Sequence, residues 1–149
     1  MRKFILISLS IVFSSILQSQ TISKAPIMVG DLKIDELKSG RISFFYQNPE
    51  YKSIIDLVGF IMKDKKQAIF LMDEAIRILQ MEETDKSQHI RHSVGNAELV
   101  RYGFRQDAIY ISDREHRGYP LLEYNCLNIK EALESYEYSA EVNKSEEVE

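Results

Sequence analysis

The sequence predicts an α+β domain: a mainly antiparallel sheet of about five to six strands, with one long helix and a short C-terminal helix packed on it. Segments in which apolar and polar residues alternate, bounded by Gly, Pro and Asn, indicate strands on both sides of one stretch with helical periodicity. The strands come in runs and do not alternate with helices, which favours antiparallel pairing over βαβ units.

An export signal precedes the predicted domain. Arg2 and Lys3 give a basic start, and the 14 residues from Phe4 to Leu17 are mostly apolar, as in a secretory signal peptide. The apolar run is shorter than the roughly 20 residues that a membrane-spanning helix needs. We therefore expect residues 1–19 to be a signal peptide cleaved near Ser19, and a soluble mature protein in the periplasm or outside the cell.

A β-hairpin is predicted near the start of the domain, after a lead-in or first edge strand at residues 20–30. Leu32 and Ile34 alternate with charged residues, and a Ser-Gly turn signal follows. Residues 41–47, RISFFYQ, then alternate in the same way, with the second, fourth and sixth residues on one apolar face. Two strands joined by that turn account for the pattern.

A buried strand and the long helix are predicted in the middle of the chain. Residues 51–63, YKSIIDLVGFIMK, are apolar on both faces, which predicts a central strand; a helical first half is the alternative. Asp64 and Gln67 form a capping-box pattern, and apolar residues then recur at spacings of three and four as far as Leu79. Polar residues fill the chain from there to Asn96, where we expect a loop.

Three short strands and a short helix complete the predicted domain. The strands are expected at residues 98–104, 108–112 and 119–125. Asn128 and Glu131 form a second capping-box pattern that predicts the helix. We expect a single domain at residues 20–139 and an acidic, disordered tail at residues 140–149, because that segment has no apolar period. No internal repeat is apparent.

Charge and cysteine content limit the class of partner. Lys and Arg total 19 against 23 Asp and Glu, a net charge of −4, and removal of Arg2 and Lys3 makes it about −6. We therefore expect no nucleic acid and no membrane as partner of the mature form. Cys126 is the single cysteine, which excludes an intramolecular disulfide and favours a small buried hydrophobe over a nucleophile.

The charged segment ISDREHRGYPLLEY, residues 111–124, is interpreted as the turn of a hairpin exposed to water. Gly118 is expected to supply a positive φ, and Pro120 to take an outward position on an edge strand. Four flanking side chains are expected to point into the core: Ile109, Ile111, Leu122 and Tyr124. On this interpretation the row of charges keeps the turn soluble.

A small exported hydrolase with a histidine general base is the alternative interpretation. Its candidate catalytic residues are His89, His92, His116, Asp113 and Glu115. Two histidines three residues apart could begin a metal site on a helix, but no third ligand stands nearby, so no metal is expected. The sequence contains neither a G-x-S-x-G motif nor a Gly-rich phosphate loop, and no cofactor is expected.

The leading interpretation is a non-enzymatic binding or interaction module with an unknown protein or small ligand as partner. Arginines cluster in the second half of the chain, and tyrosines fall in or beside the predicted strands. Both residue types are common in recognition surfaces, although cross-strand packing is the ordinary role of a strand tyrosine. The candidate binding residues are Arg101, Arg105, Arg114, Arg117, Tyr110 and Tyr119. The oligomeric state does not follow from the sequence.

Overall fold

The computed structural model describes residues 25–51, 53 and 55–146, and only the backbone of residues 136–146. The predicted signal peptide at residues 1–19 lies outside the described residues. The elements in chain order are β1 (Ile27–Val29), β2 (Leu32–Glu36), β3 (Ile42–Gln47), β4 (Leu57–Met62), α1 (Lys65–Leu79), β5 (His89–Val94), β6 (Ala97–Tyr102), β7 (Arg105–Ser112), β8 (Tyr119–Leu122) and α2 (Glu123–Glu146).

The eight strands form two four-stranded antiparallel sheets. Sheet 1 has the order β1-β2-β3-β4 and sheet 2 the order β5-β6-β7-β8, so every strand pairs with its neighbour in sequence. Each sheet is followed by a helix, and the chain therefore runs twice through four strands and a helix. The α+β class and the antiparallel pairing are confirmed. The prediction of a single sheet of five to six strands is wrong.

The first hairpin of each sheet has the same kind of turn. Gly30 and Asp31 join β1 to β2, and Gly95 and Asn96 join β5 to β6, with glycine φ angles of +58° and +55°. Apart from glycines, Arg114 alone among the described residues has a positive φ. A positive φ at the first turn position only is the type II′ pattern, whose twist matches that of the flanking strands.

Helix α1 begins as the sequence predicts. Asp64 is its N-cap and accepts a hydrogen bond from the Gln67 amide at 2.8 Å, while Gln67 Oε1 accepts from the Lys63 amide at 2.9 Å. Ile76 is only partly buried, and Ile78 is fully buried. The buried face of the helix consists of Ala68, Leu71, Met72, Ala75 and Ile78.

Two strands differ from the prediction. The sequence shows which side chains are apolar, but whether a strand face is exposed depends on which other elements cover it. β4 is an edge strand of sheet 1, with Val58 and Phe60 buried and Leu57 62 % exposed, so the predicted central strand is wrong. β5 occupies part of the predicted loop. Its sequence, HIRHSV, shows no apolar alternation because Val94 is its only buried side chain and the others are exposed or half-buried.

Helix α2 is longer and starts earlier than predicted. It begins at Glu123, so Asn128 lies inside it and does not cap it; Asn125 Oδ1 instead accepts from the Leu122 amide at 3.0 Å. With 24 residues against the 15 of α1, it is not the short helix expected. Its backbone passes residue 139 and runs to Glu146. Neither helix of the described chain is long and apolar enough to span a membrane.

One hydrophobic core connects both sheets and both helices, so the described chain is a small single domain. The helices pack side by side: Lys130 contacts Asp73 at 2.6 Å, and Gln80 donates to Glu123 at 2.7 Å. Every element except β1 and β5 contributes fully buried side chains, for example Leu32, Phe44, Met62, Leu71, Leu99, Ile109, Leu121, Cys126 and Ile129. On the opposite faces of the sheets, side chains such as Lys33 and Arg91 are exposed.

Candidate functional site: an arginine groove beside an aromatic ladder

The charged loop between β7 and β8 is organised by the carboxylate of Asp113. One oxygen accepts hydrogen bonds from the amides of Glu115 (3.0 Å) and His116 (2.9 Å), and the other lies 2.7 Å from His116 Nδ1. The pattern folds the loop back on itself, and Arg114 takes the left-handed conformation at φ 78°. The row of charges is therefore a hydrogen-bonded turn between two strands.

Several details of that turn differ from expectation. Gly118 does not have a positive φ; it is needed because a Cβ there would lie 2.9 Å from Tyr110 Cβ. Leu121, not Leu122, faces the core from β8, and Tyr124 lies on α2 and is 59 % exposed. Ile109 and Ile111 are buried, and Pro120 is exposed on the edge strand β8, both as predicted.

The same contacts shift the pKa values of His116 and Asp113 in opposite directions. The hydrogen bond to Asp113 raises the pKa of His116, and the negative charges of Asp113, Glu115 and Asp56 act in the same direction. Burial favours the neutral form of Asp113, but hydrogen bonds from His116 and Glu115 outweigh it and lower the pKa of this carboxyl. The two groups therefore tend to be charged together.

The three histidines lie in three different surroundings. His92 Nε2 is 3.2 Å from a carboxylate oxygen of Glu74, His116 contacts Asp113, and His89 lies against the ring of Tyr102. Because β5 is a strand, His89 and His92 point to opposite faces and cannot share a metal ion. Within the described ranges no three His, Cys, Asp or Glu side chains form a metal-binding group.

The remaining catalytic candidates add little to a reactive centre. Glu115 contributes its backbone amide to Asp113. Cys126 is fully buried, and burial raises the pKa of its thiol to about 12, so the thiolate is rare at neutral pH. The Asp113–His116 pair is thus the one arrangement of acid and base that the sequence candidates produce among the described residues.

Arg101 supports the fold from the inside of sheet 2. The residue is 2 % exposed, and its guanidinium donates to the carbonyl of Ile78 in the last turn of α1 and to those of Met81 (3.1 Å) and Glu82 (3.0 Å) just after the helix. It also donates to Gln106 Oε1 at 2.9 Å. A cation that satisfies the last carbonyls of a helix is a C-terminal cap, so Arg101 is not accessible to a ligand.

Four of the six candidate binding residues meet at one groove of about 430 Å³ beside β8. They are Arg105, Arg117, Tyr110 and Tyr119; the groove is completed by Asp31, Gln47, Asn48, Pro49, Gly118 and Pro120. We call it the arginine groove. Its volume falls in the range of roughly 300–1,000 Å³ that small-ligand sites occupy. Arg114 lies elsewhere, where it donates to the Gly95 carbonyl at 2.8 Å.

The tyrosines of the groove hold it in shape. Tyr119 donates to the Val29 carbonyl at 2.8 Å and accepts from the Asp31 amide at 3.2 Å, which ties β8 to the first turn of sheet 1. Tyr110 accepts a hydrogen bond from Arg105 Nη1 at 3.1 Å, and the guanidinium carbon lies 5.9 Å from its ring centre. Such contacts keep the groove largely pre-formed.

An aromatic ladder continues from the groove across the outer face of sheet 2. We define it as His89, Tyr102, Phe104 and Tyr110, whose ring centres are 5.0 Å apart for His89–Tyr102 and Tyr102–Tyr110, and 5.1 Å apart for Tyr102–Phe104. Phe104 is 68 % exposed. The sequence shows Tyr102 and Phe104 on one side of a predicted strand, but not that this side faces away from the core.

Comparisons with protein-family models, with curated proteins and with solved structures found no match for this chain. The function must therefore be inferred from the groove, the ladder and the loop.

Proposed function

We propose that the protein is an exported, non-enzymatic binding module whose binding surface is the arginine groove together with the aromatic ladder. One observation carries the proposal: the aromatic ladder and the groove that Arg105 and Arg117 line share Tyr110. The export part rests on the basic start and short apolar run of residues 1–19.

The composition of this surface supports a role in recognition. Tyr and Arg are enriched among the residues that dominate binding energies, because they offer a large rigid contact area and several hydrogen-bond donors. The exposed rings here do not serve the core, since the inner face of sheet 2 already supplies Leu99, Ile109 and Leu121 to it. Phe104 stacks on Tyr102 and is 68 % exposed, so this row of rings offers apolar surface to a partner.

The strongest observation in favour of the hydrolase alternative is the 2.7 Å contact between Asp113 and His116. That pair resembles the base and its orienting carboxylate in many hydrolytic sites. Asp113, however, also holds the loop through two amides, and the Ser112 hydroxyl accepts from the Arg114 amide at 3.3 Å. The pair has a structural role without any chemistry, so the binding module is the better-supported function.

A position-specific cross-linking experiment tests the proposal. A photo-reactive phenylalanine analogue is placed at position 104, or as a control at Phe70, which is 51 % exposed on α1. The protein is then illuminated in the exported fraction of its native cells. We expect a discrete adduct from position 104 and none from position 70. Equal labelling from both positions, or none from either, would contradict the proposal.

A further inference from the structure

We infer that the ligand is an extended peptide segment that carries a carboxylate side chain. The carboxylate would bind in the arginine groove, and neighbouring proline or apolar side chains would lie on the aromatic ladder. The inference rests on the proposed function and names the chemistry of its partner.

The charges of the groove favour a ligand that carries only one or a few negative charges. Arg117 is exposed and forms no ion pair with another described residue. Besides its contacts with Tyr110, Arg105 has a loose ion pair of 3.8 Å with Asp107, a carboxylate that is itself 72 % exposed. Guanidinium groups bind carboxylates through paired hydrogen bonds, and two of them on one groove favour such a group. Asp31, which also lines the groove, disfavours a dense polyanion.

The polar groups of the groove are mostly occupied within the protein, which disfavours a saccharide. Asn48 donates to Asp56 at 3.0 Å and accepts from the Glu50 amide at 3.1 Å. Gln47 donates to the Tyr51 carbonyl at 3.1 Å, and the Tyr119 hydroxyl already makes two hydrogen bonds. Sugar hydroxyls need many polar partners, because a buried hydroxyl without one is costly. The groove instead combines cationic and apolar contacts.

The apolar part of the surface fits an extended chain. Tyr110, Tyr119, Pro49 and Pro120 line the groove, and aromatic-lined grooves of this kind bind extended or proline-rich segments whose conformation is already restricted. Between β5 and β8 there are three strand spacings of roughly 4.8 Å, about 14 Å in all. Four or so extended residues, at roughly 3.3 Å each, would cover that distance.

Calorimetric titration with defined probes tests the inference. The probes are a capped hexapeptide of three prolines, two aspartates and one tyrosine; the same peptide with asparagine for aspartate; and a short galacturonic acid oligomer as an acidic saccharide. The protein is compared with the double variant Arg105→Gln/Arg117→Gln and with Arg41→Gln, a matched change at an exposed arginine outside the groove. Thermal midpoints confirm that all variants remain folded.

We expect the acidic peptide to bind, with about tenfold weaker affinity for the asparagine peptide and for the double variant, and no change in Arg41→Gln. Equal binding of the two peptides, or equal loss in Arg41→Gln, would overturn the inference. If only the saccharide bound, and its binding required Arg105 and Arg117, the inference of a peptide ligand would be wrong. The proposed function as a binding module would still hold. If no probe bound, the inference would fail, and cross-linking at position 104 would decide the proposed function separately.

Discussion

Replacement of Arg101 by methionine should destabilise the fold without affecting a ligand directly. The guanidinium makes four hydrogen bonds to protein acceptors. Hydrogen bonds of charged groups contribute about 1.5–3 kcal/mol each to the free energy of unfolding, but burial of the charge itself costs several kcal/mol. Met81 and Glu82 are exposed and their carbonyls can regain water, whereas Ile78 is fully buried and its carbonyl would gain no water, although it also accepts from the Met81 amide at 3.3 Å.

The net loss in unfolding free energy should therefore be about 2–4 kcal/mol, or a fall in thermal midpoint of roughly 6–15 °C for a domain of this size. Urea and thermal unfolding measure it. Arg101→Lys should recover only part of the loss, because an ammonium group cannot span all four acceptors. Arg105→Met, at an exposed site, should change stability by no more than about 0.5 kcal/mol. Equal midpoints for Arg101→Met and Arg105→Met would refute the structural role of Arg101.

Four further predictions follow from burial and contacts. Leu71→Ala should cost about 2–5 kcal/mol in urea unfolding, since Leu71 is fully buried. Gly118→Val should cost about 1–3 kcal/mol, because its Cβ would crowd Tyr110. Because the pKa of His116 is raised in the folded protein, its contribution to stability is complete below its unfolded pKa of about 6.5 and is lost as the pH rises through its folded pKa. Thermal midpoints measured across this pH range should fall accordingly, and His116→Ala should remove that dependence. Deletion of residues 140–149 should leave the thermal midpoint nearly unchanged, because this acidic segment has no apolar period.

The pattern of apolar and polar residues predicts those elements that have one face toward the core and the other toward solvent. The apolar face predicted for β3 is buried, and in β2 the exposed Lys33 separates two buried side chains. Asp64 caps α1 as its spacing with Gln67 requires. β5 could not be predicted in this way, because an edge strand with mainly polar side chains carries no apolar signal. The number of sheets depends on which strands pair across the whole domain, and periodicity within a strand holds no information on that.

The candidate site was predictable in residue type but not in arrangement. Arg105, Arg117, Tyr110 and Tyr119 were identified as candidates, and the fold brings them to one groove. Arg101 has the same chemistry in the sequence, yet it faces inward toward the end of α1. These two roles can be distinguished only when it is known which face of the sheet each side chain points to, because consecutive residues of a strand point to opposite faces.

The measurement that tests the binding surface most directly compares two variants in the cross-linking experiment at position 104. Arg105→Gln/Arg117→Gln alters the arginine groove, and His116→Ala removes the base of the alternative hydrolase. We predict that the adduct disappears in the first variant and persists in the second, with both proteins folded. Loss of the adduct in His116→Ala, and its persistence in the double variant, would contradict recognition by the groove.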